Sequence, residues 1–176
     1  MSSAVSADLQ RVRELLKHEN RYHAERILGN GAFGMVVLAI DTVNNRKVAI
    51  KFIRSLLTQK KYPEREIMNH RLLRHPHVIE FRKLFAVPNY LGIVMEYADG
   101  CSLFELVKKC KRLNVNVTRW IFQQLIIAVD YCHRKGVSSR DIKCENILLN
   151  SGSHYPIAKL CDFGYSHDQN AQSDAQ

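Results

Sequence analysis

Asp141, Lys143 and Asn146 place a carboxylate, an ammonium and a carboxamide within six residues of Arg140-Asp141-Ile142-Lys143-Cys144-Glu145-Asn146. A carboxylate can take a hydroxyl proton, an ammonium can neutralise a moving anionic group, and a carboxamide oxygen can bind a divalent metal. Sixteen residues past Asn146 comes Asp162-Phe163-Gly164, after apolar Ile157, Ala158, Leu160 and Cys161. Asp162 could give another oxygen to Mg²⁺. Far upstream, Gly29-Asn30-Gly31-Ala32-Phe33-Gly34-Met35-Val36 spaces three glycines so that backbone N–H groups can approach phosphates. Val48-Ala49-Ile50-Lys51 ends an apolar run on a lysine that can reach a phosphate as a point charge. Buried, it would need a carboxylate, and Glu66 is the candidate.

Each group has an ordinary competitor when taken alone. The glycines fit a flexible hairpin equally well. A dinucleotide loop is disfavoured, because it needs a helix where a strand follows here. Lys51 and Glu66 could be a surface strand lysine and a surface helix glutamate, Asp141 part of a charged loop, and Asp162 part of a turn.

The elements that must position these residues follow from hydrophobic period and turn chemistry. Residues 7–19 predict a short amphipathic helix through Leu9, Val12, Leu15 and Leu16, appended to the main domain. Tyr22–Leu28, Met35–Ile40 and Lys47–Ile53 read as a three-strand antiparallel meander, with Asn44-Asn45 turning the second hairpin. Glu64–Arg74 reads as a helix stopped by Pro76, followed by strands at about 80–87 and 91–97 around Pro88-Asn89. Beyond Asp99-Gly100 the pattern turns helical. Ser102 and Glu105 form a capping box before 103–109, and 116–134 is apolar on several faces, which predicts burial on several sides. Residues 166–176 are polar and aperiodic.

The chain has 176 residues, 46% hydrophobic and 24% charged, which excludes a disordered chain, a collagen-like repeat and a disulfide-stapled miniprotein. Five cysteines without a C-x-x-C pair, no signal-peptide core before Asn20, and no apolar run near the ~18 residues of a membrane span predict free thiols. A reducing compartment, cytoplasm or nucleus, is expected. The eight histidines contain no H-E-x-x-H or paired Cys/His set, so structural zinc is not expected. The net charge of +9 permits nucleic-acid, acidic-lipid or phosphate-bearing partners. Its densest part, residues 46–74, has only Phe52 and Tyr62 as aromatics for stacking, which disfavours nucleic acid.

Five motifs in one order resemble the protein-kinase signature set, and the match covers about residues 22–165. The stretches Glu64–Ile79, Met95-Glu96-Tyr97 and Lys159–Ser166 are most similar to plant sucrose-nonfermenting-related Ser/Thr kinases. The resemblance implies an α+β fold: an antiparallel five-stranded N-lobe with one helix, then the mainly helical first part of a C-lobe. The implied division is a helical extension (1–20), an ATP-binding N-lobe (21–98), a partial C-lobe (99–165) and a polar tail (166–176). It implies ATP and Mg as cofactors, a Ser/Thr protein substrate, and no membrane segment; it leaves the oligomeric state open.

By the same resemblance, Gly29, Asn30, Gly31 and Gly34 would cover the ATP phosphates, and Lys51, held by Glu66, would contact them. Val36, Ala49 and Leu148 would sandwich adenine, the backbones of Glu96 and Ala98 would bond its edge, and Met95 would border the back wall. Asp141 would be the catalytic base with Lys143 beside it, and Asn146 and Asp162 the metal ligands. Two departures stand out. Ser139 replaces the usual His before Arg140-Asp141, which implies lost contact surface for Phe163. The chain also stops a dozen residues after Gly164, against about 250 residues for a whole domain. That implies an incomplete domain without the activation-loop phosphosite, and a truncated isoform, an incomplete gene model and a degenerate paralogue fit it equally. The rival to a kinase is a non-catalytic nucleotide-binding fragment or interaction module.

Overall fold

Alternating apolar residues and tight turns fold the first half of the chain into a meander. In a computed structural model, which describes residues 3–31, 34–54, 62–151, 155–163 and 167–168, α1 (Ser3–Leu16) precedes β1 (Tyr22–Gly31), β2 (Gly34–Asp41) and β3 (Arg46–Arg54). Then come α2 (Tyr62–Leu72), β4 (Phe81–Val87) and β5 (Tyr90–Glu96). All five strands form one antiparallel sheet in the order β1-β2-β3-β5-β4. Asn45 and Asn89 turn two of its hairpins at φ +54° and +64°, a left-handed conformation that asparagine tolerates.

Strand parity divides this sheet chemically. Val37, Ala39, Val48, Ile50, Phe52 and Val94 form a core with Val12 and Leu16 of α1, which are 0% and 3% exposed. The helix read from sequence as an appendage is therefore built into the sheet's core. Arg13 Nε donates to the Ala24 carbonyl at 3.2 Å, and Arg21 grips the buried Asp41 carboxylate with two hydrogen bonds of 3.0 and 2.8 Å. That guanidinium holds the Asp41 carboxyl below the usual carboxylate range.

The second half comprises α3 (Leu103–Cys110), α4 (Val115–Arg134) and β6 (Val137–Ser138), then a 3₁₀ turn at Cys144–Asn146, β7 (Ile147–Asn150), β8 (Ile157–Leu160) and β9 (His167–Asp168). Ser102 and Glu105 make the expected capping box. Contacts divide the chain into two units, Met1–Pro63 with Phe81–Tyr97, and Glu64–Glu80 with Ala98–Gln176. Two cores organise the second. Leu73, Val78, Ala128, Cys132, Val137, Leu160 and Phe163 form one, and Leu103, Ile121, Ile147, Leu149 and Ala158 the other.

The helix α4 departs from the expectation of burial on several sides. Ile121, Gln124, Ala128 and Cys132 are buried, whereas Trp120, Phe122, Ile126 and Ile127 are 43–60% exposed. Gln124 earns its buried place through hydrogen bonds: its amide donates to the Pro156 carbonyl at 3.2 Å, and its oxygen accepts from the Ala158 N–H at 3.0 Å. Among the described residues no helix is long and apolar enough to cross a membrane.

Candidate active site

The glycine-rich segment is the β1–β2 hairpin, with Gly29 paired to Val36, Asn30 to Met35 and Gly31 to Gly34. Ala32 and Phe33 at its tip lie outside the described residues. The two outer glycines are there for different reasons. At Gly34, φ is +148° and a Cβ would lie 1.9 Å from the Phe52 carbonyl oxygen, so the fold itself demands glycine. At Gly29 a Cβ would meet nothing within 4 Å. Open space beside Gly29 fits close approach of a ligand to the backbone. Gly34→Ala should therefore cost about 2 kcal/mol or more of stability through overlap with backbone. Gly29→Ala should leave the melting temperature within a degree or two of wild type, and thermal unfolding of both variants checks this.

Register gathers the other first-unit candidates. Val36 pairs with Lys51 and Lys51 with Ile93, while Leu38 pairs with Ala49 and Ala49 with Met95. Val36, Lys51, Ala49 and Met95 thus share the sheet face opposite the α1 core. Glu96 ends β5 opposite Val48. Asn30 donates its amide to Asp8 of α1 at 3.3 Å. Glu66 lies on α2 in the second unit, and its side chain falls outside the described residues.

In the second unit, Lys143 donates to Asp141 Oδ2 at 2.7 Å. The Asn146 amide donates to the same oxygen and to the Asp141 carbonyl, each at 2.9 Å. The 3₁₀ turn makes this possible, because the Asn146 N–H closes onto the Lys143 carbonyl at 3.0 Å and folds Asn146 back over Asp141. Lys143's ammonium, helped by the Asn146 amide, holds the Asp141 carboxyl below the usual range, and Asp141 in turn raises Lys143. Asp141 is therefore an ionised acceptor at neutral pH.

The Asn146 carbonyl accepts the Cys161 N–H at 2.9 Å and the Cys161 thiol at 3.3 Å. This clasp sets the residue before Asp162 against the Asp141 cluster. Asp162 itself takes φ +63°, a left-handed conformation that costs a non-glycine residue roughly 1–3 kcal/mol and collects at functional sites. Gly164 is outside the described residues. Leu148 sits on β7 opposite Lys159 and bridges to Ser102, and Ala98 is buried at the start of the segment that runs along β7.

Phe163 does not lose its cover to the serine at 139. It is 1% exposed and lies against the His70 ring of α2, with centroids 5.2 Å apart. His70 is fixed by a 2.7 Å hydrogen bond between Nε2 and the Ile79 carbonyl. Sequence reading missed His70, although its place four residues after Glu66, on the same helical face, was a usable signal. Ser139 Oγ is buried with no hydrogen-bond partner among the described residues.

The donor chemistry fits Mg²⁺. With its amide N–H groups donating to Asp141, Asn146 keeps an amide oxygen that accepts no hydrogen bond among the described residues. Asp162 adds a carboxylate. Mg²⁺ commonly takes one or two such protein oxygens and completes its shell with phosphates and water. Among the described residues no cluster of three or more His, Cys, Asp or Glu could cage a metal alone.

A family model described as protein kinase domain matches residues 22–176. The chain is 47% identical over 146 residues to the serine/threonine-protein kinase SAPK1 of Oryza sativa subsp. japonica, covering 83% of this chain and 42% of that protein. It is 43% identical over 152 residues to the serine/threonine-protein kinase SRK2E of Arabidopsis thaliana, covering 86% and 42%. With the serine/threonine-protein kinase SAPK3 of Oryza sativa subsp. indica it shares 45% over 148 residues, covering 84% and 44%. The chain spans about two-fifths of the length of these curated relatives.

Proposed function

The chain belongs to the protein kinase family, and we propose that it serves ATP- and Mg²⁺-dependent phosphoryl transfer to serine or threonine hydroxyls of proteins. The observation that carries this reading is the Lys143–Asp141–Asn146 cluster, in which one carboxylate oxygen collects an ammonium at 2.7 Å and an amide at 2.9 Å. Asp141 accepts the substrate hydroxyl's proton, and Lys143 offsets negative charge on the moving phosphoryl group. Asn146 and Asp162 would hold Mg²⁺, which when bound would neutralise charge on the ATP phosphates. By the family resemblance the backbone of Gly29, Asn30, Gly31 and Gly34 would cover those phosphates, Lys51 would contact them, and Glu66 would be the carboxylate that goes with Lys51. The same resemblance assigns Val36, Ala49 and Leu148 to the faces of adenine, Met95 to the back wall, and the backbones of Glu96 and Ala98 to its edge. The five free cysteines support a reducing compartment, cytoplasm or nucleus.

Ser139 favours a second reading, a nucleotide-binding module without turnover, because its buried hydroxyl beside Arg140-Asp141 has no partner among the described residues. One pair of measurements separates the two. ATP-Mg²⁺ at about 100 times its Kd should stabilise the native protein by about 2.7 kcal/mol through linkage, and Lys51→Met should remove most of the corresponding rise in melting temperature. An equal rise in both proteins would overturn the nucleotide site. Labelled phosphate transferred to a serine peptide identifies the enzyme, and a thermal shift without transfer identifies the module.

A further inference from the structure

The second unit holds a cavity of about 460 Å³ that the proposed chemistry does not use. Leu106 and Cys110 of α3, Leu113 and Val117 around the start of α4, Leu149 of β7 and Pro156 form its apolar wall. Local backbone creates it. The Gly100 N–H bonds the Leu149 carbonyl at 2.9 Å, and a Cβ there would come within 2.4 Å of that oxygen, so this wall is bare backbone. Lys111, at φ +62°, then turns the chain sharply from α3 toward α4. The volume is in the range of about 300–1,000 Å³ usual for binding pockets.

The chain that carries Cys110 and Arg112 past this cavity is strongly cationic. Lys108, Lys109, Lys111 and Arg112 are all exposed, and among the described residues none of their side chains has an ion-pair or hydrogen-bond partner. Arg112 itself lines the cavity. The two acids on the adjoining backbone are engaged elsewhere. Glu105 takes the Ser102 N–H and hydroxyl at 2.9 and 3.1 Å, and Asp99 takes the Ser151 N–H and hydroxyl at 2.8 and 2.7 Å. Four like charges in five residues repel one another and contribute nothing to either core of this unit. An anionic partner would relieve that repulsion.

We propose that this cavity and its rim are a docking site for an acidic peptide segment of a partner protein, with aliphatic side chains in the cavity and carboxylates on Arg112 and the lysines nearest it in the chain. Charge complementarity selects the acid, and the aliphatic wall selects the anchor. A second copy of this chain is a poor occupant, because two chains of net charge +9 repel each other. Nucleic acid fits the rim but not the wall, which has no aromatic side chain on which a base could stack.

The test is selection of a random dodecapeptide library on the immobilised chain, with labelled single-stranded oligonucleotide as a second probe. Enriched peptides should be net acidic and contain at least two aliphatic residues. The pair Lys109→Glu and Arg112→Glu should weaken their binding about tenfold or more, with the melting temperature unchanged. Bound peptide should also slow alkylation of Cys110, the thiol in the wall. Neutral or basic enriched peptides, affinity indifferent to the charge reversals, or binding of the oligonucleotide alone would each overturn the proposal. So would an unchanged rate of Cys110 alkylation.

Discussion

Replacing Asp141 with Asn should lower turnover of a serine peptide by about 10²–10⁴-fold, the range a positioned general base contributes. The variant keeps the shape of the side chain and can still accept from Lys143, so the loop should hold its 3₁₀ turn. It loses the negative charge that attracts the hydroxyl proton. The loss should fall on kcat, because the missing interaction belongs to the transition state and not to peptide binding. The rise in melting temperature with ATP-Mg²⁺ should survive, since Lys51 and the glycine hairpin are untouched. A turnover within a few-fold of wild type would remove Asp141 from the role of base.

The same carboxylate predicts a pH effect of definite sign. Lys143's hydrogen bond, the largest influence on Asp141, lowers its pKa, with the Asn146 amide acting in the same direction and desolvation opposing. Asp141 therefore stays ionised below its ordinary value of about 3.9, and activity that needs the carboxylate persists into acid. Lys143→Met removes the largest influence. The pKa then climbs toward its ordinary value, and the acid limb of kcat/KM should move to higher pH. An acid limb at the same pH in both proteins would assign that limb to another group.

Local pattern made the elements and the cluster legible. A period of two with asparagine turns specifies β2, β3 and β5, and the Ser102–Glu105 box fixes the start of α3 because both partners lie within one turn. Asp141, Lys143 and Asn146 were readable for the same reason: the 3₁₀ turn joins neighbours in sequence. What escaped depends on distant partners. Leu9, Val12 and Leu15–Leu16 state that a helix has an apolar face but not what it meets, and in the fold Val12 and Leu16 meet the sheet. The pattern of α4 likewise gives apolar residues without saying which are covered, and Phe122 and Ile126 remain exposed. The positive φ of Asp162 and the burial of the Ser139 hydroxyl without a partner among the described residues leave no local trace at all.

Phe163 is where these long-range contacts bear most directly on the site. Its ring is 1% exposed within a core that includes Leu73, Val78, Ala128, Cys132, Val137 and Leu160. The backbone just before it is pinned twice, by Cys161 on Asn146 and by the β7–β8 pairing. Truncation to Ala leaves a ring-sized cavity beside His70, which cannot advance to fill it while Nε2 holds the Ile79 carbonyl. Phe163→Ala should therefore cost about 3–5 kcal/mol, a large share of the 5–15 kcal/mol by which domains are usually stable. Amide exchange in β8 and the C-terminal half of α4 should accelerate by about two to three and a half orders of magnitude, tenfold for each 1.4 kcal/mol. Phe163→Leu, which retains most of the apolar contact, should cost about 1 kcal/mol and accelerate exchange only several-fold. Equal exchange in the two variants would mean that the ring's volume does not hold this core together. The left-handed Asp162 next to it would then owe its position to the Cys161–Asn146 clasp alone.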